Sequence, residues 1–397
     1  MTNTTLPRNG VLSDVSMPST TGRIASLLGL RGIAALVVVI HHCMLRFPIY
    51  TSTYSEPAAV PSGHPLAWLM VHTPLHLVWG GGEAVFVFFV LSGLVLTLPV
   101  LRSAKFRWIA YYPARLIRLY LPVWVAIAWA LSLFLLTRSI DPAAGAAWTS
   151  ERGTTIDVRQ LIERSIFLHD SNFYNGPLWS IVWEVLFSLL LPLYVLVIVR
   201  FRIGWGWKLA ASLAATTVGA YLRSSHPPIG NLLLFMSMFA VGVLMAAHLD
   251  DLRTLAEQIA RSRRPNLVWT LVLAVSLLGL CTYWFALLTT GNMHFLDMTD
   301  TVQLVGAAGL VFVVIFDRRL RHALESRVVL LLGTVSFSLY LVHDPIIATV
   351  DYLGGNRAID FLVGIPVSLA VATAFYWSVE RPSHKLARWV ARIVPSQ

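Results

Sequence analysis

The sequence predicts an all-α membrane protein, a polytopic helix bundle with about ten transmembrane helices and both termini in the cytoplasm. Of its 397 residues, 56% are hydrophobic and only 13% are charged, whereas soluble domains carry about 25% charged residues. A soluble globule is therefore excluded. The apolar residues form runs of about 20, the length that an α-helix needs to cross a bilayer. Most basic residues lie between these runs.

Ten apolar runs follow one another along the chain. Residues 1–22 lack the basic segment and apolar core of a signal peptide, and we expect a disordered cytoplasmic tail there. The transmembrane domain is predicted over 23–385, followed by a second cytoplasmic tail over 386–397. The fifth and eighth runs are short. The runs are 24–47, 76–101, 119–137, 177–199, 207–222, 229–248, 267–288, 302–316, 328–350 and 361–379.

The distribution of Lys and Arg supports this count and a location in the cell inner (plasma) membrane. With the N-terminus inside, 22 of the 30 basic residues fall on the cytoplasmic side, seven fall outside, and Arg31 lies within a helix. This asymmetry follows the positive-inside rule. The net charge of +10 therefore reflects topology and does not indicate nucleic-acid binding. Cys43 and Cys281 lie in or beside apolar runs and indicate neither a disulfide framework nor a metal site.

Arg31 and His42 lie on the first predicted helix, and ionisable residues inside a span are candidates for function. They are eleven residues apart, so they project from nearly the same helix face, about 16 Å apart. His41 points about 80° away from Arg31. We predict that Arg31 and His42 line one cavity. The alternative is that His41 and His42 only cap the helix at the membrane interface.

Four further ionisable side chains are predicted at the depth of His42. Glu83, Glu184, His343 and the adjacent Asp344 each lie six or seven residues from the outer end of a predicted helix, which is about 8 to 11 Å. A carboxylate buried there requires a proton, a cation or a hydrogen-bond donor. Glu184 could instead make a structural helix–helix hydrogen bond. Glu83 could be hydrated at the interface.

Arg115 and Arg118 are three residues apart, on one face of a predicted helix near the inner side. Guanidinium groups suit phosphate binding by their geometry. The pair could equally anchor the helix at the positive inner interface. Nearby, Ser92 and Gly93 are small enough to let two helices approach closely.

Six segments, taken in order, resemble the acyltransferase family 3 proteins, which are integral membrane enzymes that acylate surface glycans or secreted small molecules. They are LRGIAALVVVIHH, VFVFFVLSGLVL, YYPARLIRLYLP, PLWSIVWEVLFSLLLP, VSFSLYLVHDP and VERPSHK. The sequence departs from the family where Phe337, Leu186 and Ser188 replace its usual Tyr, Gln and Tyr, so no role is carried over to these side chains. The positions that match the family pattern are Arg31, His42, Arg115, Arg118, Glu184, Tyr340 and His343.

The resemblance implies acetyl-CoA or another acyl-CoA as the donor, and no metal. His42 would act as general base on the acceptor hydroxyl or would briefly carry the acyl group, and both routes remain open. We expect Glu184 and Glu83 to orient or charge-balance His42. Arg31, Arg115 and Arg118 are expected to bind the donor, and Tyr340, His343 and His41 the acceptor.

The resemblance implies a carbohydrate or cell-surface glycan as the acceptor, and a macrolide-type small metabolite is the alternative. The longest outer loop, 138–176, would help to shape the acceptor site. We expect any soluble hydrolase-like domain to be a separate protein. A proton-coupled transporter would also place polar residues near the midplane, although the sequence shows no internal repeat. A non-catalytic membrane scaffold or sensor is the other alternative, and it would tolerate loss of His42.

Overall fold

The computed structural model describes residues 25–55, 63–140, 158–166, 175–201, 204–288, 293–354 and 357–394. All regular structure within these ranges is helical, which confirms the predicted all-α class. The predicted tail 1–22 and much of the loop 138–176 lie outside the described residues. Nothing in the structure therefore tests those two predictions.

The first half of the chain contains long apolar helices separated by short ones. A 3₁₀ turn, Pro74–Val78, leads into the second long helix, and another, Gly176–Leu178, leads into the fourth. A π-helical segment, Val195–Arg200, extends the fourth. The helices are α1 (Ala25–Met44), α2 (Pro48–Ser55), α3 (Pro65–His72), α4 (Gly81–Arg102), α5 (Trp108–Thr137), α6 (Val158–Ser165) and α7 (Trp179–Tyr194).

The second half repeats the pattern of long apolar helices and short connections. Several of its helices begin with Pro, whose fixed φ and missing N–H suit a first turn. π-helical segments Asp360–Gly364 and Tyr376–Glu380 flank the last apolar helix. The helices are α8 (Trp205–Leu222), α9 (Pro227–Ala247), α10 (Leu249–Arg261), α11 (Pro265–Leu280), α12 (Thr282–Ala286), α13 (Met293–Phe316), α14 (Arg318–Leu324), α15 (Arg327–Gly354), α16 (Ile365–Phe375) and α17 (Arg381–Ile393).

Eight helical stretches within the described residues are long and apolar enough to cross a membrane, which confirms a multi-spanning bundle. Two predicted runs fall outside this set, although both are helical: α8 has 18 residues and α11 has 16. The count of ten and the side of the termini therefore stay predictions. The eight are Ala25–Met44, Gly81–Arg102, Trp108–Thr137, Gly176–Val199, Pro227–Ala247, Phe295–Phe316, Arg327–Gly354 and Arg357–Ile393.

Two helix bounds differ from the sequence expectation. The eighth run is not short, because α13 extends back to Met293 through Asp297 and Asp300. These acids lie 3.6 and 3.8 Å from the guanidinium of Arg223 on α8, so the helix tolerates them. At the C-terminus, part of the predicted tail forms α17, which packs along α5.

Glycines let the central helices approach at two crossings. A Cβ at Gly333 on α15 would overlap the carbonyl oxygen of Leu28, and a Cβ at Gly32 would lie 2.5 Å from the Gly333 nitrogen. The crossing of α4 and α9 uses Gly93 and Gly242 in the same way, in agreement with the role predicted for Gly93. Helix α1 therefore packs closely against α15, and α4 packs closely against α9.

A reporter inserted after Ser262 distinguishes ten spans from eight. With ten spans, the segment between α9 and α11 lies in the cytoplasm, as its Arg residues require. If α8 and α11 did not cross, the same segment would lie outside. We expect a cytoplasmic signal from an alkaline phosphatase and fluorescent protein fusion pair. A fusion after Gln397 is the control, since both counts place it inside, and an external signal at Ser262 would refute the ten-span topology.

Candidate functional site

His42 and His343 meet in the centre of the bundle. His42 Nδ1 lies 3.3 Å from His343 Nε2, and both side chains are buried. Each ring also bonds its own helix: His42 Nδ1 lies 2.9 Å from the Val38 carbonyl, and His343 Nδ1 lies 2.9 Å from the Leu339 carbonyl. A carbonyl only accepts, so this network assigns a proton to Nδ1 of each neutral ring. His42 Nε2 is then an unprotonated base, and no described residue donates to it.

A buried ion pair lies beside the two imidazoles. Arg46 Nη2 is 3.4 Å from Asp344 Oδ1, with side chains 0% and 2% exposed. Asp344 interacts electrostatically with both His42 and His343. Sequence reasoning gave neither residue a specific role. It placed Arg46 among the outer basic residues, and it placed Asp344 in the same layer as His42 and His343.

The outer end of α7 lies inside the bundle rather than at its surface. The buried Asn175 donates from Nδ2 to the Leu341 carbonyl at 2.7 Å, and the Gly176 N–H donates to Asp344 Oδ2 at 3.0 Å. Tyr340 Oη lies 3.0 Å from the Pro177 carbonyl and donates to it. Helix α7 therefore starts at the level of His343, with its first turn fixed to α15.

A small, partly open cleft with a cavity volume of about 40 Å³ lies between α1, α4, α7 and α15. Arg31 lines it, and the Arg31 guanidinium lies 5.9 Å from the centre of the Phe337 ring. At the other end Tyr340 lines it, with its ring 6.0 Å from that of His343. The lining comprises Arg31, Val85, Phe88, Phe89, Ser92, Ser180, Ile181, Glu184, Ser336, Phe337 and Tyr340.

Glu184 pairs with Arg115 and not with His42. Arg115 donates from Nη2 to Glu184 Oε1 at 2.6 Å and from Nε to Ser188 Oγ at 3.0 Å. Counting from the helix end had placed Glu184 level with His42. That count assumed a helix starting at the membrane surface, whereas α7 starts within the bundle, so Glu184 lies deeper. The structure brings its carboxylate into the cleft with Arg31.

Glu380, which sequence reasoning did not consider, links the remaining arginines. Its Oε2 accepts from the Ser338 N–H at 3.2 Å and from Ser338 Oγ at 2.6 Å. Both Arg31 and Arg118 interact electrostatically with this buried carboxylate. Arg31 and Arg118, predicted as donor-binding residues, therefore lie around one acid at the Phe337 end of the cleft.

Glu83 and His41 belong to a separate cluster on the outer side. Glu83 Oε1 accepts from Trp284 Nε1 at 2.8 Å, and Glu83 Oε2 lies 3.4 Å from His76 Nε2. His41 Nδ1 lies 2.9 Å from the Trp79 carbonyl oxygen. The structure therefore places Glu83 against His76 instead of His42. The two adjacent histidines of α1 make different contacts, as their different helix faces imply.

The arrangement is a line of polar groups across the bundle. Arginines and carboxylates lie at one end, a hydroxyl pair formed by Tyr340 and Ser180 lies in the middle at 2.6 Å, and a basic imidazole nitrogen lies at the other end. Such a line can hold an anionic group at the arginines while an extended chain reaches the imidazole. No group of three His, Cys, Asp or Glu side chains is placed to hold a metal ion in the described part of the chain.

Comparison with known proteins agrees with this geometry. The family described as an acyltransferase domain, acyltransferase 3, matches residues 24–377. The acyltransferase MdmB of Streptomyces mycarofaciens is 25% identical over 354 residues, covering 83% of this chain and 81% of that protein. No solved structure matches the chain. Because the family match covers most of the chain and all the residues of the cleft, this multi-spanning membrane protein belongs to the acyltransferase 3 family.

Proposed function

We propose that the protein is an acyl-CoA-dependent O-acyltransferase of the cell inner membrane, and that it transfers an acetyl group to a hydroxyl of a carbohydrate or cell-surface glycan. The observation that supports this most directly is the pairing of His42 with His343 beside Tyr340, which lines the same cleft as Arg31. Binding of the donor from the cytoplasm and of the acceptor from outside follows from this placement and the predicted topology.

The donor binds with its phosphates at Arg31 and Arg118 and its pantetheine arm along the cleft toward His42. Arg31 and His42 are about 16 Å apart along α1, a distance that an extended arm can cover. Phe88, Phe89 and Phe337 give the cleft apolar walls, which suit the methylene groups of the arm. Arg115 is paired with Glu184 and supports the wall of the cleft.

In the direct route, His42 Nε2 takes the proton of the acceptor hydroxyl as its oxygen attacks the thioester carbonyl. The carbon–sulfur bond then breaks, and the imidazolium returns the proton to the thiolate of coenzyme A. In the covalent route, Nε2 itself attacks the carbonyl, and the carbon–sulfur bond breaks to release the thiolate of coenzyme A. The acceptor oxygen then displaces the acyl group from the ring, and the hydroxyl proton passes to that thiolate. Both routes require the same neutral tautomer of His42. His343 supports that tautomer by accepting from Nδ1.

The proposal is tested by incubating purified protein in lipid nanodiscs with acetyl-CoA and quantifying released coenzyme A by chromatography. Water acts as a slow acceptor, so no glycan is needed. We expect the wild-type protein to release coenzyme A and His42→Ala to abolish this release. The absence of release with acetyl-CoA and with longer acyl-CoA thioesters would refute the proposed donor. Mass spectrometry of surface glycans from cells with and without the gene then tests the acceptor.

Arg118→Ala is expected to weaken binding of acetyl-CoA about ten- to a hundredfold. Each charge-assisted contact contributes about 1.5 to 3 kcal/mol. Isothermal titration calorimetry of the purified protein measures the effect. Arg261→Ala is the matched control, because Arg261 is 71% exposed and pairs only with Glu257 on the same helix among the described residues. Equal affinities for the two variants would assign Arg118 to anchoring.

A further inference from the structure

The buried ion pair between Arg46 and Asp344 lies next to the proposed catalytic base. Asp344 directly follows His343 on α15, and Arg46 lies two residues beyond the end of α1, which carries His42. A third element joins them, because the Gly176 N–H at the start of α7 donates to Asp344 Oδ2. Three separate elements thus converge on one carboxylate beside the His42–His343 pair.

Stability alone does not account for such a pair. Removing two charges from water costs several kcal/mol, and well-packed apolar residues of similar size often stabilise a protein as well or better. The Arg46 and Asp344 side chains are almost fully buried, so they incur this cost in full. The position of the pair beside two titratable rings points to a role in the charge balance of the site.

Proton transfer to His42 creates a positive charge in a buried site. The groups that act on His42 electrostatically are Asp344, His343 and His41, and Glu83 acts on His41 in turn. Among these, Asp344 is the carboxylate that acts directly, and it favours the imidazolium. Arg46 acts on His343 in the opposite direction, and because it pairs with Asp344 it offsets that carboxylate. With both present, the cluster is neutral at rest and carries one positive charge after proton transfer.

We infer that Asp344 and Arg46 are a charge-balancing pair for His42: Asp344 stabilises the imidazolium that forms during acyl transfer, and Arg46 offsets the charge of Asp344 while His42 is neutral. This inference rests on the proposed function, because it assigns the pair to the reaction at His42. Asp344 and Arg46 act through His42 and are positioning residues. Their two charges have opposite effects on the same ring, which gives the inference a signature in the pH profile.

The two single variants are expected to shift the pH profile in opposite directions. The rate falls at low pH because a protonated His42 cannot accept the hydroxyl proton. In Asp344→Asn the imidazolium loses its counter-charge, so this acid limb should move to lower pH by about one unit and the maximal rate should fall about tenfold. In Arg46→Met the limb should move to higher pH by about one unit, because Asp344 is no longer offset.

The double variant Asp344→Asn/Arg46→Met should return the acid limb close to the wild-type position. It also removes both buried charges together, so it should fold even if either single variant is too unstable to purify. The maximal rate should stay about tenfold below wild type, because the counter-charge is still missing. Release of coenzyme A from acetyl-CoA is measured from pH 5 to 9, with folding checked by size-exclusion chromatography.

Asp317→Asn is the matched control. Asp317 is also a buried carboxylate beside an arginine, since Oδ1 lies 3.5 Å from Arg319 Nε, but it caps α14 at the opposite end of the bundle. Asp317→Asn should leave the acid limb of the pH profile unchanged. The inference would be overturned if the acid limbs of the two single variants moved in the same direction or did not move. It would also be overturned if the double variant kept the full wild-type rate. If His42→Ala retains full release, the proposed function itself fails.

Discussion

Replacing His42 by alanine is expected to lower acyl transfer by about a hundredfold to ten-thousandfold, the usual contribution of a positioned general acid–base. The variant loses His42 Nε2, which the hydrogen-bond network leaves unprotonated, whereas the unprotonated Nε2 of His343 already accepts from His42. It also deprives His343 of its ring partner. Released coenzyme A and acylated acceptor, compared at matched protein levels, measure the loss.

Two other histidines serve as controls for this experiment. His72→Ala removes a buried imidazole bonded to the Trp284 carbonyl at 3.0 Å, away from the cleft, and should reduce transfer little. His41→Ala, one residue from His42, should cost far less than His42→Ala because its ring is directed to Trp79. A variant series in which His41→Ala abolishes transfer and His42→Ala does not would reverse the assignment of the two rings.

Gly333→Ala is expected to have the second large effect, although it adds a single methyl group far from His42. The new Cβ would overlap the Leu28 carbonyl oxygen, and this nearest atom belongs to the backbone, which cannot move aside as a flexible side chain can. Helices α1 and α15 must then separate or slide. The expected destabilisation is about 1 to 3 kcal/mol or more, and the contact between His42 and His343 is lost with it.

Gly206→Ala is the control for this substitution. A Cβ at Gly206 on α8 meets nothing within 4 Å, and alanine is the better helix former. Thermal unfolding followed by size-exclusion chromatography should show a lower midpoint for Gly333→Ala and an equal or higher one for Gly206→Ala. Wild-type stability and activity in Gly333→Ala would show that the helices do not cross as described.

The sequence predicted the helical class because apolar runs of about 20 residues are a strong signal. It also predicted that Arg31 and His42 share a helix face, since eleven residues are close to three whole turns. The structure agrees in part: Arg31 lines the cleft, and His42 lies next to His343 at the Tyr340 end. Local periodicity was sufficient here, because both residues lie on one unbroken helix.

The partners of the carboxylates could not be predicted, since they depend on where a helix begins in space. Glu184 was placed by counting from its helix end, but α7 begins beside Leu341 inside the bundle, so its acid meets Arg115. Glu83 meets His76, which precedes it on a separate 3₁₀ turn. Arg46 and Glu380 were given no role because residues at the end of an apolar run look like surface charges in a sequence.

The position of Tyr340 bears on the electrochemical gradient across the membrane. If, as proposed, a coenzyme enters the cleft from one side and an alcohol from the other, ions that followed would drain the electrochemical gradient, at about 2.3 kcal/mol per charge for each 100 mV. Tyr340 lines the cleft with its ring 6.0 Å from that of His343, held by Ser180 and the Pro177 carbonyl, with the Phe88 ring 5.8 Å away. We therefore expect this ring to narrow the passage toward His343, and a smaller side chain at this position to make the membrane more permeable to protons.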